Sequence, residues 1–218
     1  MRFGAAIFDL DGTLLDSLRD IAEAANAVLV ELHRPIHPIS DYRFFVGDGV
    51  SMLFQRVLPE CESDPTLKQR CMSLFEKEYS TRWNIHSKPY DGMTDLLLYV
   101  QQSGLKIGIL SNKPDSFTRR CASFFFPEVP FDLVVGHSER FPRKPDPSSA
   151  AWMAQQFDVG SDRIAYVGDT NTDMKTAVQA GFYAIGVTWG FRPETELREF
   201  GADQVVATAM ELETLLLS

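Results

Sequence analysis

The sequence predicts an α/β protein: a parallel sheet with helices on both faces. Three observations carry that prediction. From about residue 90 onward, short apolar runs of strand length alternate with stretches of helical spacing. Between the first apolar run and residue 85 the apolar positions recur three or four apart, never in strict alternation. Three of the strand-like runs stop abruptly on small, polar or acidic residues.

Taken in chain order, residues 3–8 form an apolar run stopped by Asp9. Leu18, Ile21, Ala22, Ala25, Val28, Leu29 and Leu32 then recur at helical spacing, with Ser17 and Asp20 as the expected N-terminal cap pair. Pro35 and Pro38 end that helix, and residues 40–85 read as further helices broken at Gly47, Gly49, Pro59 and Pro65. Asp91-Gly92 marks a turn, followed by a helix to about Gln102 that Gly104 stops. Residues 105–110 form a buried-strand run ended by Ser111-Asn112, and a helix over 115–124 follows. A short strand over 131–135 leads into a polar loop, 136–147, and a helix from Ser148 to about Phe157. Residues 163–167 are the next strand, ended by Gly168-Asp169, with a helix running to Ala180-Gly181. Strands at 183–187 and 204–206 close the series.

Composition narrows the function. The chain of 218 residues is 44% hydrophobic and 23% charged, ordinary for a globular protein of one large domain or a core with an insertion. Its net charge of −9, without a basic run, argues against nucleic acid and anionic lipid as partners. No apolar run approaches the length of a membrane span, and no signal-peptide pattern opens the chain. Cys61, Cys71 and Cys121 are odd in number and lack metal-ligand spacing, which fits a reducing cytoplasm rather than a disulfide framework. An acidic chain acting on an anionic substrate needs local positive charge. Arg143, Lys144, Lys113 or a divalent cation would have to supply it.

The candidate site follows from where the strands end. In an open parallel sheet, ligands bind beyond the carboxyl ends of the strands. Asp9-Leu10-Asp11-Gly12-Thr13, Ser111-Asn112-Lys113 and Gly168-Asp169-Thr170 would converge there, with Lys144 in a neighbouring loop. Several carboxylates gathered at one edge repel one another, and a hard divalent cation such as Mg2+ relieves them. The backbone N–H groups of Gly12 and Thr13 are expected to bind phosphate oxygens, with Ser111 and Asn112 as further short donors. Lys144 supplies a compact positive charge for a phosphoryl group. Asp9 and Asp11, two apart at a strand end, point to one side. One carboxylate can attack phosphorus while the other serves as acid and base.

Four motifs in order resemble the haloacid dehalogenase-like superfamily: Asp9-Leu10-Asp11-Gly12-Thr13-Leu14, Ser111-Asn112-Lys113, Lys144-Pro145-Asp146-Pro147, and Gly168-Asp169-Thr170-Asn171-Thr172-Asp173. The resemblance implies a Rossmann-like core, residues 1–15 and 86–218, with an α-helical cap at 16–85. It implies Asp9 as nucleophile, Asp11 as general acid/base, Ser111 on the phosphate and Lys144 steadying both. Mg2+ would be held by Asp9, the Asp11 backbone carbonyl and Asp169, with Asp173 as a ligand or as a group behind one. Within the superfamily the chain looks most like phosphoglycolate phosphatases, on Arg43, Val46-Gly47-Asp48-Gly49 and Leu53, on Gly186-Val187-Thr188-Trp189-Gly190, and on Gly201-Ala202-Asp203. Arg43 is the candidate cap cation for a small acidic substrate. The expected partner is therefore a small phosphorylated metabolite such as 2-phosphoglycolate, handled by a cytoplasmic monomer or homodimer. Relatives of this layout also hydrolyse pyrophosphate, nucleotides or sugar phosphates. A phosphomutase and a non-catalytic binding protein on the same fold are the alternatives.

Overall fold

The computed structural model describes residues 2–218. In chain order the elements are β1 (Ala5–Phe8), β2 (Leu15–Asp16), α1 (Leu18–Glu31), α2 (Tyr42–Phe45), α3 (Val50–Val57), α4 (Pro65–Arg82) and β3 (Lys88–Pro89). Then follow α5 (Met93–Gln102), β4 (Lys106–Pro114), α6 (Asp115–Phe125), β5 (Leu133–His137), α7 (Ser148–Phe157) and β6 (Ile164–Gly168). The last elements are α8 (Asn171–Ala180), β7 (Tyr183–Val187), α9 (Glu194–Glu199), β8 (Gln204–Val206) and α10 (Ala209–Leu217). The chain divides into two compact units, Met1–Leu15 with Pro89–Ser218, and Asp16–Lys88.

The first unit holds a six-stranded sheet in the order β5-β4-β1-β6-β7-β8, with every neighbouring pair parallel. Such a sheet is covered on both faces, so its strands read as unbroken apolar runs. All four residues of β1 are buried, as are all five of β6. Met153, Phe157, Met174, Ala177 and Leu197 pack with strand residues Ala5, Ile7, Leu110, Ile164 and Tyr166 in one core cluster. The crossovers through α5, α6, α7 and α8 return each strand in the same direction, so the carboxyl ends of β1, β4 and β6 lie side by side.

Two strands depart from the sequence expectation. β4 continues past Leu110 to Pro114, and its pairing with β5 shifts register between those residues. β5 begins at Leu133 rather than 131. Phe131 belongs to the preceding turn, where its ring meets Phe126 edge-on at 6.0 Å. Asp132 makes the entry to the strand: its backbone N–H donates to Ile107 O, and its carboxylate accepts from Ile107 N at 2.8 Å.

The second unit is helical. α1 packs chiefly against α4, and α3 packs on α4 as well. Its apolar interior includes Ala22, Ala25, Val28, Leu29, Tyr42, Phe54 and Phe75, with Phe75 stacked on Tyr79 at 5.3 Å. Pro65 stands at the first turn of α4, where its missing N–H costs nothing. Ser17 precedes α1 but makes no side-chain cap bond. Asp20, expected as its capping partner, turns elsewhere. Its buried carboxylate accepts from the backbone N–H of His86 (2.9 and 3.0 Å) and Ser87 (2.8 Å) and from the Ser87 hydroxyl (2.7 Å). Cys61, Cys71 and Cys121 are buried free thiols. No helix among the described residues is long and apolar enough to cross a membrane.

Candidate functional site

Asp9 is the first residue beyond β1, and its N–H donates to Val167 O at 2.9 Å, continuing the pairing with β6. The chain then turns tightly. Leu14 and Leu15 donate to Leu10 O, and Gly12 N–H donates to Leu15 O at 2.8 Å. Gly12 has a φ of +92°, and a Cβ there would meet Asp169 Oδ2 at 2.3 Å, so only glycine fits this approach. The sequence expects the Gly12 and Thr13 backbone donors to face a phosphate. Both are spent inside the turn, Gly12 N on Leu15 O and Thr13 N on Leu10 O (3.3 Å). Thr13 acts through its hydroxyl instead, which donates to Asp169 Oδ1 at 2.9 Å.

Lys144 enters from the loop after β5 and is buried. Its Nζ donates to Leu110 O (3.0 Å) and Asp173 Oδ1 (2.7 Å) and lies 2.9 Å from Asp9 Oδ1. That last contact has the distance of an ion pair, and Asp9 Oδ1 is buried with no well-angled hydrogen-bond donor. Asn112 is turned to the Lys144 backbone rather than outward: its Nδ2 donates to Lys144 O (3.1 Å) and its Oδ1 accepts from Lys144 N (2.8 Å). The carboxamide, expected to face a substrate, thus fixes the lysine backbone in this structure. Ser111 is buried at the bend of β4. Its Oγ accepts from Lys113 N at 3.3 Å, which leaves its own hydrogen for donation.

Asp169 is the first residue beyond β6 and is fully buried. Oδ1 takes the Thr13 hydroxyl and Oδ2 takes Phe191 N–H at 2.8 Å. Asp173 lies one turn into α8 and closes a capping box with Thr170. Its Oδ2 accepts from Thr170 N (3.1 Å) and Thr170 Oγ1 (2.6 Å), while Oδ1 accepts from Lys144 and, at 3.4 Å, from Tyr166 Oη. Both oxygens are thus engaged by the protein. Arg43 belongs to the other unit, where it is exposed on α2 with its guanidinium 5.7 Å from the Phe44 ring centroid.

The electrostatics follow from crowding. Ligand oxygens of Asp9, Asp169 and Asp173 all lie within 4.8 Å of one another. Burial, then the charge of Asp173, pushes the Asp9 carboxyl up from 3.8 to about 7, with Lys144 pulling it back in part. Burial, then Asp173 and Asp9, raises Asp169 well above the usual carboxylate range. For Lys144, burial alone would lower the pKa, but Asp173 and Asp9 outweigh it and hold the ammonium charged. Once ionised, three buried carboxylates against one ammonium would leave two uncompensated negative charges, the complement of a divalent cation. The donors are all oxygens, which suits a hard ion. The orphaned Asp9 Oδ1 and the raised Asp169 are the groups such an ion would satisfy.

In the sequence Lys113 is one candidate positive charge among several, and Trp189 is one residue of the motif at 186–190. Lys113 Nζ is bound to both oxygens of Asp11, at 2.9 and 2.8 Å. Trp189 Nε1 donates to Thr13 O at 3.0 Å, and a Cβ on Gly190 would sit 2.3 Å from Asp169 Cβ and 2.4 Å from Gly12 O. The loop after β7 therefore braces both the Asp9–Thr13 turn and Asp169. Its Trp-Gly pair directly after a strand end was the available signal.

Fold and site together define an α/β protein whose carboxylates and lysines gather at the carboxyl edge of a parallel sheet. Residues 6–187 match the haloacid dehalogenase-like hydrolase family, and the chain belongs to it. It is 30% identical over 210 residues to the phosphoglycolate phosphatase of Thiobacillus denitrificans, covering 95% of this chain and 92% of that one. A crystal structure from Lactobacillus delbrueckii subsp. bulgaricus superposes with a TM-score of 0.93 at 29% identity, covering 100% of both chains. A haloacid dehalogenase-like family hydrolase from Streptococcus pneumoniae shares the fold with a TM-score of 0.88 at 23% identity, covering 98% of each chain.

Proposed function

We propose that this protein is a magnesium-dependent phosphatase that hydrolyses a small phosphomonoester, foremost 2-phosphoglycolate, through an aspartyl-phosphate on Asp9. The observation that carries the reading is the buried Asp9 carboxylate at the end of β1, with Lys144 Nζ 2.9 Å from its Oδ1 and Asp169 beside it. The name borne by the Thiobacillus relative supports the substrate. The acidic chain without a basic run favours a small metabolite over nucleic acid, and the three free thiols suit the cytoplasm.

Magnesium would be held by Asp9, Asp169 and the backbone carbonyl of Asp11. Bound there, it supplies positive charge for the phosphoryl oxygens. Asp173 serves by orienting Lys144, since both its oxygens already have partners. The protein's own groups divide the remaining work. Asp9 attacks phosphorus, the bond from phosphorus to the ester oxygen breaks, and Asp11 delivers a proton to the departing alkoxide. Asp11 then takes a proton from water as that water attacks the phosphorus of the aspartyl-phosphate. Inorganic phosphate leaves and the Asp9 carboxylate is restored. Lys144 offsets charge on the Asp9 side throughout, and Ser111 donates to a phosphate oxygen.

Phosphate release from 2-phosphoglycolate, measured with Mg2+ and with EDTA, tests the reading. Release requires the metal, and Asp9→Asn lowers it by at least about a thousandfold, the scale of losing a nucleophile. Undiminished hydrolysis by Asp9→Asn would remove Asp9 from its role.

A further inference from the structure

We propose that Lys113 is a specificity-determining residue: it binds an anionic group on the leaving-group side of the substrate, exchanging its ion pair with Asp11 for that group. The proposal rests on the phosphatase reading above.

Two lysines serve the two aspartates of the first turn, one each. Lys144 lies 2.9 Å from Asp9 and Lys113 lies 2.8 Å from Asp11. Their surroundings differ. Lys144 answers to two buried carboxylates and a backbone carbonyl, and its Asp173 partner has no exposed side-chain surface. Lys113 is paired with Asp11, whose side chain is 17% exposed, so a solute can reach this pair. An ammonium locked among Asp9, Asp173 and Leu110 O has no freedom to follow a substrate. One held by a partly exposed carboxylate can change partner.

The backbone of Lys113 is fixed, so the exchange is a movement of the side chain. Its N–H donates to Ser111 Oγ at 3.3 Å, and its carbonyl accepts from Thr118 Oγ1 at 3.1 Å. The pairing with Asp11 spans 102 residues of sequence and depends on β1 and β4 lying side by side. Position follows from the assigned chemistry. Asp9 addresses phosphorus and Asp11 addresses the leaving oxygen, so the cation on Asp11 stands where the leaving group goes. In 2-phosphoglycolate that group carries a carboxylate, which a charge-assisted hydrogen bond from Lys113 would meet.

The test compares 2-phosphoglycolate with ethyl phosphate, a two-carbon ester without the carboxylate, using the full protein, Lys113→Met and Lys113→Arg. Lys113→Met is expected to lower kcat/KM for 2-phosphoglycolate about tenfold to a hundredfold more than for ethyl phosphate, with Lys113→Arg recovering most of that difference. Misfolding lowers both rates equally and cancels in the ratio. Equal losses on the two esters overturn the inference and leave Lys113 as a brace for Asp11. The inference is likewise overturned, with the phosphatase reading intact, if the unsubstituted protein hydrolyses both esters alike. Failure of the unsubstituted protein to release phosphate from either ester overturns that reading, and the inference with it.

Discussion

At the scale of single residues, Asp169 is held on all sides by its neighbours. Thr13 and Phe191 fix its two oxygens, while Gly12 and Gly190 make room for it. A Cβ at residue 190 would fall 2.3 Å from Asp169 Cβ and 2.4 Å from Gly12 O, closer than atoms approach, and neither backbone nor a buried side chain can yield cheaply. Gly190→Ala is therefore expected to displace the carboxylate. The signature is a Mg2+ requirement shifted at least about tenfold upward, since misplaced ligands weaken a metal site by that order. Titrating activity against Mg2+ for the variant checks it. An unchanged midpoint with a lower plateau would place the damage elsewhere. These neighbours were hard to read in the sequence because their partners are 156 and 22 residues distant. Asp9, Asp11, Lys144 and Asp169 stood out because each breaks an apolar run or joins a recurrent motif. What their companions do was not legible: Gly12 and Thr13 spend their backbone donors on the turn, and Asn112 turns to Lys144.

At the scale of elements, Asp20 has the clearest mechanical task. It sits in the first turn of α1 yet bonds the segment 86–87, just before β3. Its four hydrogen bonds, two of them at 2.8 Å or less, fix the start of the helical unit to its end. Removing the carboxylate leaves buried donors unsatisfied, at about 1–3 kcal/mol apiece in such settings. Asp20→Ala is expected to destabilise the protein by about 2–4 kcal/mol, read as a lower midpoint in urea. Asp20→Asn should recover part of the loss, because a carboxamide oxygen still accepts. Equal midpoints for all three proteins would show that the clamp carries no stability. Ser17 and Asp20 have the spacing of a cap, and local pattern could not reveal that the carboxylate serves a residue 67 positions away. Long strands and helices were legible because periodicity accumulates over many residues. The two-residue strands β2 and β3 carry no period to read. α10 was missed although Thr208 accepts from Glu211 N at 3.2 Å, a capping pattern present in the sequence.

At the scale of the whole molecule, the site is a standing cost that the fold tolerates. The sheet is built from apolar runs joined by helical crossovers. The buried carboxylates are placed against their electrostatic preference, and this gives the metal-free protein a distinctive pH dependence. Asp9 is raised from 3.8 to about 7 and Asp169 is raised as well, so the folded state keeps protons that the unfolded chain releases. Stability then falls as pH rises wherever the folded state binds more protons. The contribution is present in full below about pH 4 and is lost by about pH 7, the interval between the ordinary and raised values of Asp9. Lys144, raised as well, works in the same sense, but its titration lies far above this window. His137, whose pKa is lowered by burial and then by Arg143, loses stability as pH falls, which opposes the carboxylates below its ordinary 6.5. The difference between metal-free and metal-loaded protein isolates the site from such background. In EDTA the thermal midpoint should drop between pH 5 and pH 8. Millimolar Mg2+ should raise it little at pH 5 and by several degrees at pH 8, above the raised value of Asp9, where the cation has charge to neutralise. If the EDTA and Mg2+ curves superimpose across the whole range, Asp9 and Asp169 do not form a metal site, and their burial requires another explanation.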